Sequence, residues 1–378
     1  MRALVFSATL LLTAFCVVRA TNPLVNAGLT VHEWGTFTSV AGAAGKPVDW
    51  NTLGCDSDLP RFVNDHGFRN PKARLRGTVR METPVLYFYS ARELTARVNV
   101  AFPQGLITEW YPKADYRVYQ NSAAGQQTLL PANLNGFNTY LLNQTGVIEW
   151  NAIKVEPGSR SPFPVESAPS RYYAARATDA SPVSVDDQHE KFLFYRGVGR
   201  IPVPLSALIQ PDGRIAVSST GAAGAPVVML FENRGGSIGY RNLGGIHSSM
   251  TVDRPALGAA PSQFKADLQS ALIDQGLYPK EAAAMLDTWQ DSWFEEGSRL
   301  IYILPQSTVN TMLPLEIEPA PAQTVRVFVG RIELITPETK QAVRQAISKG
   351  DEAALALYER FLEPIGNALN QRINYNCR

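Results

Sequence analysis

Histidine and cysteine are scarce in this 378-residue chain, with four of the first and three of the second. No two of them are spaced closely enough for a Cys/His set of zinc-site type, and no metal ligands are assigned. Charged residues make up only 18% of the chain, and 35 Lys and Arg nearly balance 34 Asp and Glu. Without a basic excess there is no electrostatic footprint for nucleic acid or an anionic membrane surface. Past the N-terminus no apolar run approaches the length of a membrane span, so no span is expected in the mature chain. Internal repeats, low-complexity tracts, a nucleophile elbow, a phosphate loop and a dinucleotide fingerprint are all missing. Gly197-Val198-Gly199 lacks the third glycine and the helix that would follow it.

What is present begins with a secretory leader over residues 1–20. Arg2 gives a positive start, Ala3 to Val18 is almost wholly apolar, and Val18-Arg19-Ala20 places small residues where signal peptidase reads them. Cleavage is expected near Ala20, giving a mature chain from Thr21 that is soluble and extracytoplasmic, periplasmic or secreted. An uncleaved anchor is the alternative, against which Arg19 breaks the run and no basic cluster follows. Losing Arg2 and Arg19 turns the formal net charge of +1 into −1. Losing Cys16 leaves Cys55 and Cys377 as an even pair in an oxidising compartment, where a disulfide is expected; two separate thiols are the alternative.

Most of the mature chain reads as short strands between Gly, Pro and Asn clusters. Leu94, Ala96, Val98, Val100 and Phe102 alternate with more polar neighbours, the period of a strand with one wet face. Val85 to Tyr89 is apolar or aromatic on both faces and belongs in the middle of a sheet. Leu29 to Val40, Leu106 to Tyr111, Thr139 to Val155, Arg200 to Leu208 and Val227 to Glu232 are further strands. From about residue 261 the pattern turns helical. Ser262 to Gln275 is one helix, and Pro279 opens another that carries Met285, Trp289 and Trp293 on one face and stops at Gly297. Arg299 to Leu304 and Val325 to Ile335 return to strand. Thr336-Pro337-Glu338 starts a helix, and a last one runs from Asp351 with a kink at Pro364. The expected fold class is α+β, predominantly antiparallel β and sandwich-like, with a β-rich region 21–260 and a helix-containing portion 261–378 that can pack on the same sheets.

Four segments carry a resemblance: His32-Glu33-Trp34-Gly35-Thr36-Phe37-Thr38-Ser39-Val40, Met81 to Val85, Lys191 to Gly197, and Asp291 to Gly297. Together they resemble a group of uncharacterised secreted bacterial proteins marked by the first motif. The resemblance implies a bacterial, extracytoplasmic setting, in which Asn143-Gln144-Thr145 is not a glycosylation site, and implies no activity or cofactor.

Three Glu-Trp pairs, Glu33-Trp34, Glu109-Trp110 and Glu149-Trp150, fall in expected strands, so each puts an indole on one face and a carboxylate on the other. The plain reading is core tryptophans beside solvent-facing acids. The functional reading is a carbohydrate surface in which Trp34 and Trp110 stack on sugars and carboxylates do acid-base work. His32 shares its face with Trp34; it reads first as a hydrogen-bonded structural histidine and second as a ligand-binding candidate. Arg80 and Glu82 share a face before Pro84 and read as surface pairing. Glu295 and Glu296 sit where the helix from Pro279 should end, the wrong end of its dipole for an acid; the plain reading pairs one with Arg299 or another cation and leaves the other solvated, and the functional reading turns one inward, towards the face of His32 or of Glu33, to form a polar pocket. Asp186 to Glu190, including His189, has ligand types for a divalent cation but reads first as a solvated loop. The leading expectation is therefore a non-catalytic binding or envelope-associated protein taking a small molecule or glycan. The alternatives are a carboxylate-based hydrolase of polysaccharide or envelope material using Glu33, Glu82, Glu295 or Glu296, and a metal-dependent enzyme centred on His32 or His189. Enzyme or not, and with what cofactor, the sequence leaves open.

Overall fold

The computed structural model describes residues 25–53, 59–65, 75–130, 143–221 and 223–373. The leader, the start at Thr21, His66, and both Cys55 and Cys377 with their expected disulfide lie outside the described residues.

Strand outweighs helix, 46% to 22% of the chain. In chain order the strands are β1 (Val25–Ala41), β2 (Trp50–Asn51), β3 (Asn64–Asp65), β4 (Arg76–Gly77), β5 (Val79–Ser90), β6 (Leu94–Pro103), β7 (Gly105–Tyr111), β8 (Asp115–Asn121), β9 (Gln127–Leu129), β10 (Gln144–Val155), β11 (Val183–Val185), β12 (Gln188–Glu190), β13 (Leu193–Gly199), β14 (Leu205–Ile209), β15 (Ile215–Ser219), β16 (Ala225–Arg234), β17 (Ser237–Ile246) and β18 (Ser249–Val252). Helices α1 (Pro261–Asp274) and α2 (Pro279–Trp293) follow, then β19 (Gly297–Ile303), α3 (Gln306–Met312), β20 (Leu315–Glu318), β21 (Ala320–Leu334), α4 (Pro337–Lys349), α5 (Glu352–Ala356) and α6 (Leu362–Ala368).

The central sheet has nine strands in the order β17-β16-β19-β21-β1-β5-β13-β7-β3. Its pairings are antiparallel except β1 with β21, which run parallel through the middle. The C-terminal strands β19 and β21 thus share a sheet with β1 and β5, the packing the sequence left open for residues 261–378. Both faces of this sheet are covered. Val31, Phe37, Leu86 and Phe88 face a second, mostly antiparallel sheet through Val98, Val100, Phe102, Ile148 and Trp150. Trp34, Val85, Tyr87, Val327 and Val329 face the helices through Phe264, Leu268, Met285, Trp289 and Trp293. A smaller core joins Val40 and Trp50 to Val343, Leu355, Phe361, Leu362 and Ile365.

Local chemistry accounts for the helix boundaries. Pro261, Pro279 and Pro337 each stand in a first turn, where the missing N–H costs nothing. The Thr336 hydroxyl accepts from the Thr339 N–H, and Gly350 closes α4 in the left-handed region at φ 63°. Two expectations are corrected. The continuous helix from Asp351 is two short helices separated by a 3-10 turn at Glu359–Phe361, although its stripe Leu355, Tyr358, Leu362, Ile365 and Leu369 is buried as the pattern implied. And α2 ends at Trp293, so Glu295 and Glu296 lie beyond it rather than in its last turn.

Candidate functional site

The alternation of β1 sorts its polar residues between the two faces. Val31, Glu33 and Phe37 point to the second sheet; His32, Trp34, Thr36 and Thr38 point to the helices.

On the second-sheet side, Glu33 is fully buried and held by two donors. Arg326 Nε donates to Glu33 Oε2 at 2.5 Å, and the Tyr195 hydroxyl donates to Oε1. Arg326 in turn donates to the Leu313 carbonyl at 2.7 Å and to Asn310 Oδ1 at 3.0 Å. Burial, and then the Glu33 charge, push the Tyr195 phenol far above its ordinary range, so it stays a donor.

On the helix side, β5 carries an irregularity that sequence parity could not show. Trp34 pairs with Val85 but Thr36 pairs with Glu82, so β5 has one extra residue there, and Thr83 sits at φ 48°. Arg80 and Glu82 consequently face the same side as Val85 and Tyr87, under the helices. Both are 1% exposed, which corrects the surface-pair expectation: they lie on β5, inside the sheet between β1 and β13. Glu82 accepts from Thr38 Oγ1 at 2.6 Å and from Arg360 at 2.8 Å, with Arg80 Nε at 3.1 Å. Burial alone would raise this carboxyl, but Arg360, Arg80 and the Thr38 hydrogen bond together bring it down to about 2. Burial lowers the Arg80 guanidinium to about 9.

The same network runs across β21 and β19. Arg331 donates to Glu295, to Glu333 Oε2 at 2.9 Å and to the Ser292 carbonyl at 2.6 Å. Arg299 bonds Glu333 at 3.0 Å and caps the end of α2 through the carbonyls of Trp293, Glu295 and Glu296. Glu295 has therefore turned inward, onto the face that carries His32, but to meet arginines rather than to form an open polar pocket. Glu296 goes the other way: its Oε2 accepts from the Gly235 N–H at 2.8 Å, and burial, followed by the Glu232 charge, raises its carboxyl.

At the opposite end of the helix-side face, Glu281 gathers three donors. His32 Nδ1 lies 2.8 Å from Oε2, the Tyr278 N–H donates to Oε2 at 2.8 Å, and the Tyr89 hydroxyl donates to Oε1 at 2.7 Å. Burial and then the Glu281 charge raise the Tyr89 phenol. The Tyr278 ring, 43% exposed, lies over the His32 imidazole at 4.4 Å between centroids. This pins the first turn of α2 to β1 and leaves His32 Nε2 buried without a hydrogen bond. Glu281 was missed in the sequence. Its signal was positional, an acid two residues after Pro279 in a first turn.

The solvent-facing acids of the Glu-Trp pairs are also corrected. Glu33 and Glu109 are buried at 0% and 5% because both faces of the central sheet are covered, whereas Glu149, at 5%, lies on the wetter face of the second sheet and is roofed by Arg97 and Arg117. Trp34 is fully enclosed and Trp110 packs against Tyr116, so neither presents a ring for a sugar to stack on. Glu33 and Glu82 face opposite sides of the sheet, and Glu296 sits at the β16–β17 turn, so these acids do not line one cleft. His189 lies in the β11–β12 hairpin with Glu156 Oε2 4.0 Å away. Among the described residues no group of three or more His, Cys, Asp or Glu is arranged to hold a metal ion. No described helix is long and apolar enough to cross a membrane.

A groove of about 470 Å³ opens where the C-terminal ends of β1 and β21 meet β14, α4 and α6. Ala41 to Ala43, Val48, Ala207 to Ile209, Leu334 and Ile335 form its walls, and Lys340, Asn367 and Ala368 complete it. Sequence reasoning missed this site because its walls come from five separate segments of ordinary aliphatic residues. No protein-family profile matches the chain, and no curated protein matches it.

Proposed function

We propose that the protein is a non-catalytic, exported binding or envelope-associated protein that holds a small ligand in the groove between β14 and α6. The observation that supports this reading most is the saturation of the candidate carboxylates. Glu33, Glu82 and Glu295 each have a guanidinium within bonding distance inside the fold. A general acid must exchange its proton near the working pH, and a carboxyl held at about 2 does not. A groove of this volume, by contrast, lies in the usual range for small-molecule sites. The near-zero net charge supports a small molecule rather than nucleic acid as the partner. Export rests on the leader at residues 1–20.

A carboxylate hydrolase keeps one foothold in Glu296, whose carboxyl is raised by burial and which forms no salt bridge among the described residues. The test is to collect the exported product, confirm by intact mass that it starts at Thr21, and incubate it with envelope polysaccharide. The binding reading expects no release of reducing ends from wild type or Glu296→Gln. Turnover by wild type that disappears in Glu296→Gln would replace it with the hydrolase.

A further inference from the structure

We infer that the groove takes an unbranched aliphatic carboxylate, with its chain along the β14 wall and its head group on Lys340. This deepens the binding-protein reading and rests on it.

The wall chemistry selects the tail. The lining residues include no aromatic ring, and only Lys340 and Asn367 have polar side chains. Sugars need hydroxyl partners and gain from flat aromatic platforms, and nucleobases need a stacking face, so neither finds its usual contacts here. Val48, Leu208, Ile209, Leu334 and Ile335 offer branched aliphatic surface suited to a methylene chain. Leu208 is 38% exposed in the present state, an apolar side chain left for a ligand to cover.

The charge at the mouth selects the head group. Lys340 is partly buried, lines the groove, and forms no ion pair with any described residue. It stands in the first turns of α4, where the helix dipole is positive and a lysine is disfavoured, so folding logic alone does not explain its choice. The acids that flank the groove in the chain are all engaged elsewhere. Asp49 pairs with Arg200 and Glu363 with Arg76. Glu338, two residues before Lys340, is held by Arg254 and Arg234 on the other side of α4. Lys46, on the loop beside Ala43, adds a second exposed cation. The positive charge at the groove therefore has no counterion among the described residues, and a ligand carboxylate supplies one, with the Asn367 amide as a second donor.

The test is calorimetric titration of the full mature protein with decanoate below its micellar concentration, against decanol, decyltrimethylammonium and acetate. Decanoate is expected to bind saturably at one per chain, about tenfold tighter than decanol, the gain of one partly buried charge pair. Acetate and the cationic amphiphile should not bind. Lys340→Gln should lower decanoate affinity to the decanol level. Ala368→Trp, a change at an exposed wall position, should abolish both while leaving the melting temperature unchanged. Equal affinities for decanoate and decanol, preference for the cation, or no saturable binding overturns the assignment. Preference for decanol or the cation that Ala368→Trp still blocks rejects the carboxylate but leaves the binding-protein reading standing. That reading fails separately, on polysaccharide turnover.

Discussion

Inside the fold the buried arginines at 80, 196, 299, 326 and 331 lie among carboxylates, hydroxyls and carbonyls, while at the groove Lys340 forms no ion pair among the described residues. Both places are reached by the same strand. Thr38 of β1 bonds Glu82 in the interior network, and three residues on Ala41 lines the groove. The difference separates charges that are consumed in holding the sheet to its covers from a charge left available. Buried ion pairs are weak as net stabilisers but costly to break, since removing one partner strands the other away from water. A half-buried lysine at a groove mouth is cheap to remove and leaves nothing stranded.

That contrast orders the expected effects of mutation. Glu33→Gln should be the most damaging, at about 3 to 5 kcal/mol in denaturant unfolding, because Arg326 then sits in an apolar sandwich with no counterion. A loss below about 1 kcal/mol would mean that Arg326 is compensated elsewhere and would blur the comparison.

Acid should reveal the same saturation at Glu82. Its carboxyl is lowered from an ordinary 4.5 to about 2 on folding, so between these values the unfolded chain binds the proton and the folded one does not. The stability it contributes is complete above 4.5 and is lost as pH falls towards about 2, on the order of 3 kcal/mol over the window. Unfolding measured against pH should show that slope in wild type and a shallower one in Glu82→Gln. Identical slopes would remove Glu82 from the network.

Gly330→Ala probes the packing around these charges on the second-sheet side. A Cβ at Gly330 would lie 2.0 Å from the Tyr302 ring, too close for any rotamer adjustment to clear without moving the ring, and a loss of about 1 to 3 kcal/mol is expected by thermal melting. Smaller still is Thr336→Ala, which removes the cap of α4 and should cost about 1 kcal/mol by the same measurement.

Much of the fold was legible because periodicity and punctuation are local. The alternation at Leu94 to Phe102, the two-sided apolar run at Val85 to Tyr89 and the Thr336-Pro337 helix start each came through as read. The strands β15 and β17 were not marked out, since Ile215–Ser219 is short and Ser237–Ile246 carries glycines and exposed polar residues. The site was far less legible. Glu82 reads as surface charge until β1 is known to lie beside β5 and the Thr83 irregularity is known to turn it under the helices. Glu281 and His32 are 249 residues apart, and no spacing rule joins them. That a cation meets one of Glu295 and Glu296 is the plain reading of the sequence, but the partners of Glu295, Arg331 and Arg360, come from β21 and the turn before α6, which only the tertiary fold brings together.

If the buried carboxylates hold the fold and the groove holds the ligand, stability and binding separate in one pair of variants. Glu33→Gln and Lys340→Gln are compared for unfolding free energy and for decanoate affinity, at a temperature where both are folded. Glu33→Gln should lose several kcal/mol of stability, about 3 to 5, yet bind decanoate as wild type does. Lys340→Gln should keep its stability within about 0.5 kcal/mol and bind about tenfold more weakly. Loss of binding in folded Glu33→Gln, with Lys340→Gln unaffected, would reverse the two roles.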